Sequence, residues 1–155
     1  ESVIPLLGMY AASKHAVKGF TDALRLEIED LDKAPVSITL IQPSAVDTPF
    51  PQHGRNYQDK EPKLPEPMVV PRKVADAILE AAEKPSGDKK VGAMAVVNTS
   101  MAKFAPGLGD KMAAGQADKL HYEEPPRHPE GALHQPSAAT GVVGQTHGTG
   151  GRKSG

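Results

Sequence analysis

Apolar residues recur at steps of three and four from residue 9 to residue 31, with Ala12, Ala16, Phe20, Ala23, Leu24, Ile28 and Leu31 on one stripe. That spacing predicts a helix. Pro5 and Gly8 precede it, and Pro35 stops it, because the residue before a proline is driven out of the helical region. Residues 36–41 alternate and are rich in β-branched side chains, which predicts a strand. Its Ser37 and Thr39 are small enough to lie under a packed helix, so burial on both faces is possible. Residues 43–71 carry seven prolines, Gly54 and almost no aliphatic side chain before Leu64, so neither helix nor sheet is expected there. A connection this long is a functional loop or a disordered one. From Pro71, a good first-turn residue, Val74, Ala77, Ile78, Ala81 and Ala82 form the apolar face of a second helix that ends near Pro85. Residues 89–98, with Val91, Ala93, Ala95, Val96 and Val97, read as a second strand. Met101, Phe104, Leu108, Met112, Ala113 and Leu120 mark a weaker amphipathic stretch, interrupted by Pro106 and Gly107, that predicts broken or short helix.

Beyond Tyr122 the pattern stops. Prolines 125, 126, 129 and 136 are followed by six glycines in the last fifteen residues, with too few bulky apolar groups to offset the entropy of ordering the backbone. The expected organisation is a folded part over residues 1–122, with a proline-rich insert at 43–71, and a disordered tail over 123–155. The length of 155 residues suits one domain, and 15 Gly with 15 Pro agree that much of it is loop or tail. Without cysteine there is no disulfide framework, thiolate metal site or cysteine nucleophile. A net charge of −1 gives no overall electrostatic case for nucleic acid. No apolar run approaches the roughly 20 residues that span a bilayer, so no membrane partner is expected and the cytoplasm is the expected compartment. His121, His128, His134 and His147 match no zinc spacing, and no metal site is expected.

The segment with chemical content is Tyr10-Ala11-Ala12-Ser13-Lys14. A spacing of four brings the phenol and the ammonium to one helix face, one turn apart. A cation beside a phenol stabilises the phenolate, and a phenol so assisted can give a proton to a carbonyl oxygen or take one from an alcohol. The same spacing also suits a solvated helix face. Ser13 and His15 neighbour the pair, with packing or solvent roles expected for them.

The longer run over residues 10–27, Tyr-Ala-Ala-Ser-Lys-His-Ala-Val-Lys-Gly-Phe-Thr-Asp-Ala-Leu-Arg-Leu-Glu, closely resembles the active-site helix of the short-chain dehydrogenase/reductase family. After the next strand, Gln42-Pro43-Ser44-Ala45-Val46-Asp47-Thr48-Pro49 resembles the Pro-Gly-x-Val-x-Thr segment that borders the nicotinamide in that family. The two motifs stand in the family's order, and the resemblance runs over residues 4–122. It implies an α/β fold, a Rossmann-like doubly wound parallel sheet of which this chain supplies the last strands and helices. It implies hydride transfer between NAD or NADP and a small carbonyl compound or secondary alcohol. Tyr10 would be the general acid/base, and Lys14 would favour the phenolate and hydrogen-bond the nicotinamide ribose. Pro43, Ser44, Val46 and Thr48 would border the nicotinamide, with the Val46 backbone on the carboxamide and the Thr48 hydroxyl on the carboxamide or phosphates. Ser44 stands where the family has glycine. Residues 50–70 would form the substrate loop. Homo-oligomers are common in the family, and the small residues of 11–23 would suit such an interface.

The family's glycine-rich turn, its NAD/NADP-discriminating residue, its catalytic serine about thirteen positions before the tyrosine and its helix-borne asparagine would all precede Glu1. Ser2 is only eight positions before Tyr10 and is not given the serine's role. The chain is therefore expected to carry roughly the final third to half of a dehydrogenase and to be inactive by itself. The competing expectation is a non-catalytic binding or scaffold protein that keeps a remnant of the fold.

Overall fold

A computed structural model describes residues 7–104 and 119–136, together with residues 107 and 115. The helix expected over 9–31 forms as α1, Gly8–Arg25, and its last turn, Leu26–Leu31, widens into a π-helical turn. Asp32 N–H donates to the Glu27 carbonyl at 2.9 Å, and Lys33, at φ 52°, turns the chain out of the helix. Glu29 then caps the exit by accepting the Ile38 amide at 2.7 Å.

Two parallel strands follow, β1 (Leu40–Pro43) and β2 (Asp88–Val91), paired in register from Leu40 opposite Asp88 to Pro43 opposite Val91. Both lie near their expected places but are short. β2 begins directly after Pro85-Ser86-Gly87, so residues 36–39 have no strand to pair with; Thr39 instead accepts the Ser86 amide at 3.0 Å. The expected second strand over 89–98 is corrected from Gly92 on: Gly92 takes φ 95° and residues 93–104 form a helix, here α4 (Ala93–Phe104). A short apolar run such as Ala-Met-Ala-Val-Val cannot be told from a buried helical segment by periodicity, and the glycine break decides it.

Between the strands lie α2 (Phe50–His53), a single turn inside the proline-rich insert where no helix was expected, and α3 (Pro71–Glu83). Pro49 and Val70 precede these helices. In α3, Pro71 occupies the first turn, where its missing N–H costs nothing. Ala77 and Ala81 of α3 are buried, and the core consists of Val69, Ala77 and Val91 with Ile41 and Val74 against it. Ile78 and Ala82, expected on the same face, point out.

The stripe of α1 is not buried within this chain: none of its residues is buried, and Phe20 is 69% exposed. Polar contacts hold α1 to the start of β2 instead. Lys18 Nζ bonds Asp22 at 2.8 Å and Asp88 at 3.3 Å, while Arg25 reaches Asp22 at 2.6 Å and donates to the Gly87 carbonyl at 3.0 Å. The hydrogen bond from Lys18, joined by that from Arg25, holds the Asp22 carboxyl below its ordinary value, and the same contact raises Lys18.

Of the tail expected over 123–155, residues 123–136 are described, while 137–155 lie outside the described residues. Residues 119–132 run back along the insert. Lys63 N donates to the Leu120 carbonyl at 2.7 Å, Tyr122 N to the Glu61 carbonyl at 2.8 Å, Glu61 N to the Glu124 carbonyl at 2.9 Å and Ala132 N to the His53 carbonyl at 2.9 Å. Gly131, at φ 62°, presses so close that a Cβ there would meet the Arg55 amide at 2.6 Å. Glu61 is the pin: it is 2% exposed and its Oε2 accepts the Arg127 amide at 2.8 Å. Backbone pairing between two proline-rich segments supplies the order that apolar burial could not. Glu61→Ala is expected to release this strap, at a cost of about 1.5–3 kcal/mol for a charge-assisted bond, whereas Glu61→Gln keeps an acceptor and holds it. Limited proteolysis around Arg127 checks this: faster cleavage in the alanine variant alone is the expected pattern, and equal rates in all three proteins would refute the pin.

Candidate active site

The sequence placed Tyr10 and Lys14 on one face of a helix, and the structure brings them together. Both are on α1, and Lys14 Nζ stands 5.5 Å from the centroid of the Tyr10 ring, within reach of its π face. The Tyr10 carbonyl accepts the Ser13 hydroxyl at 2.7 Å and the Ala11 carbonyl faces His15 Nδ1 at 2.8 Å, so both neighbours are occupied with local helix contacts. Tyr10 itself is 47% exposed, which leaves its hydroxyl reachable.

The segment 43–49 is held from two sides. Ser44 N donates to the Val91 carbonyl at 3.0 Å, extending the β1–β2 pairing by one bond. Further on, Asp47 N donates to the Val69 carbonyl at 2.9 Å and Val69 N to the Ala45 carbonyl at 2.7 Å, a parallel bridge that seats Val46 beside Val69. Thr48 N closes a tight turn onto the Val46 carbonyl at 2.9 Å. The chain then enters α2, whose first residue, Phe50, packs on Tyr10 with ring centroids 6.1 Å apart and planes tilted by 51°. This contact brings the end of the segment to the α1 pair. Pro43 is exposed, Ser44, Val46 and Thr48 are half-buried, and Asp47 is buried at 6%.

Ser44 answers the question raised by its departure from glycine. Its Oγ is buried without a hydrogen-bond partner and lies 2.5 Å from where a Cβ on Gly92 would stand. The side chain is thus turned towards the strand end at Gly92. Phe50 lies in the 50–70 stretch expected as the substrate loop, and nothing in a proline-rich stretch marks which aromatic folds back on the helix.

The matches agree with the motifs. A family model for short chain dehydrogenases matches residues 2–59, the stretch that contains α1, β1 and the 43–49 segment. Residues 2–59 are thus those of a short-chain dehydrogenase/reductase. An uncharacterized oxidoreductase, YxnA, of Bacillus subtilis (strain 168) is 38% identical over 128 residues, 81% of this chain and 36% of its own length. Dehydrogenase/reductase SDR family member 7C of Xenopus tropicalis is 44% identical over 43 residues, 28% of this chain and 13% of its own length. The chain therefore spans about a third of the length of the first of these relatives and less of the second. No solved structure matches it. Among the described residues, no group of three or more His, Asp or Glu could hold a metal ion, and no helix is long and apolar enough to cross a membrane.

Proposed function

We propose that the complete protein carrying this chain interconverts a small carbonyl compound and a secondary alcohol, with Tyr10 exchanging the proton on the substrate oxygen. The observation that carries this reading is the Lys14–Tyr10–Phe50 arrangement: a half-exposed tyrosine in contact with an ammonium and with the ring that follows the 43–49 segment. In the reducing direction the Tyr10 hydroxyl donates its proton to the carbonyl oxygen and the resulting phenolate is stabilised by the Lys14 charge; in the oxidising direction the phenolate takes the proton back.

The donor set fits a nicotinamide nucleotide, NAD or NADP, which when bound would supply or accept the hydride. The phenol and ammonium share one helix face, the Thr48 hydroxyl is half-buried beside Val46, and the Ser44 side chain is turned to Gly92. Lys14 would hold the ribose hydroxyls, and Pro43, Ser44, Val46 and Thr48 would border the nicotinamide. In this reading β1 and β2 are neighbouring strands of a doubly wound parallel sheet that the rest of the protein completes, and the chain alone is inactive. The exposed stripe of α1 supports burial of that helix against such added structure.

Lys14→Ala tests the reading. It removes a charged hydrogen bond to the ribose, and nucleotide affinity in the complete protein is expected to fall roughly tenfold or more. Nicotinamide fluorescence titration with NADH and NADPH measures it; an unchanged dissociation constant for whichever nucleotide binds would remove Lys14 from the cofactor site.

A further inference from the structure

We propose that Phe50 is a specificity-determining residue, an apolar wall beside Tyr10 that selects substrates with a flat, apolar group next to the reacting carbon. The inference rests on the reading of Tyr10 as the proton-exchanging group. The two rings meet at 6.1 Å with a tilt of 51°, an ordinary aromatic-pair geometry. Such a contact covers only part of each ring: Phe50 remains 57% exposed and Tyr10 47% exposed, so the aromatic pair keeps open surface for a third apolar group.

The wall is held in place rather than mobile in a loop. Pro49 and Gln52 are buried on either side of Phe50, Gly54 N donates to the Phe50 carbonyl at 3.3 Å, and Ala132 of the strap donates to the His53 carbonyl at 2.9 Å. A ring fixed at this position offers no donor, acceptor or charge. A carboxylate or hydroxyl placed against it would lose water without gaining a partner, whereas an aryl or cycloalkyl group gains stacking contact. The competing feature is Lys14, whose charge would favour an anionic substrate such as a 2-oxo acid.

Acetophenone and pyruvate separate these outcomes. In the complete protein with oxidised nicotinamide nucleotide present, saturation-transfer NMR is expected to detect acetophenone and not pyruvate. Phe50→Ala is expected to weaken acetophenone binding two- to tenfold, the range of an aromatic pair, and Phe50→Leu to recover part of it. Binding of pyruvate with no acetophenone signal, no signal from either, or an acetophenone affinity untouched by Phe50→Ala would each overturn the wall. The assay needs no turnover, so it fails independently of the proton-exchange reading: a Tyr10→Phe protein that still reduced acetophenone would remove Tyr10 from the chemistry and leave the Phe50 result as measured.

Discussion

Tyr10→Phe is expected to lower kcat of the complete protein by about 10²- to 10⁴-fold, the contribution of a positioned general acid or base, while nucleotide affinity stays within about twofold. The substitution removes one oxygen and keeps the ring. The contact with Phe50 at 6.1 Å and the Lys14 ammonium 5.5 Å from the ring centroid need only the π face, so the surroundings of the lost hydroxyl stay as they were. Stability should barely change, because Tyr10 is 47% exposed and substitutions at such surface positions fall within about 0.5 kcal/mol. A large loss of rate at constant fold and constant cofactor affinity isolates the proton transfer from binding. Steady-state reduction of a carbonyl probe, with fluorescence titration of the nucleotide on the same preparations, measures both quantities. A rate within threefold of the parent protein would mean that some other group, or water, supplies the proton.

The parts of this arrangement that sequence could reveal are those written in side-chain spacing. Tyr10 and Lys14 lie four apart, and a helix turns that number directly into a shared face. A strand near β1 was legible from the β-branched residues of 36–41, of which only Leu40 and Ile41 enter it, and α3 from Pro71 and the alanine face, because hydrophobic period and helix-start chemistry are local signals. Edges were harder. Where β1 begins is decided by where β2 starts, and that depends on Pro85 and Gly87, more than forty residues away. The strap was illegible for a different reason: the bonds from Lys63, Tyr122, Glu61 and Ala132 run between backbone groups, which every residue carries. Composition argued for a tail, and nothing in the sequence sets Glu61 apart from Asp59 and Glu66 as the carboxylate that is buried.

Gly92→Ala is expected to destabilise the fold by about 2–5 kcal/mol, from two additive causes. At φ 95° an L side chain meets its own backbone, at a cost of about 1–2 kcal/mol. The new methyl would also stand 2.5 Å from Ser44 Oγ and 2.6 Å from Val69 Cγ2, an overpacking worth roughly 1–3 kcal/mol. Val69 belongs to the small core with Ala77 and Val91, and Ser44 is tied through its amide to the Val91 carbonyl. Ser44→Ala removes the nearer atom, a buried hydroxyl without a partner, so by itself it is expected to be close to neutral. In the Gly92→Ala background it should recover part of the loss, because the Ser44 clash goes while the φ strain and the Val69 contact remain. The two substitutions are then coupled, and a double-mutant cycle on thermal midpoints measures the coupling. A domain with only about 5–15 kcal/mol to lose should melt roughly 10 °C or more lower with Gly92→Ala. If Gly92→Ala melted with the parent protein, the strand end would be looser than these contacts require. The 43–49 segment, hung on Val91 and Val69 at the same point, would then lack the rigid seat from which it meets Tyr10.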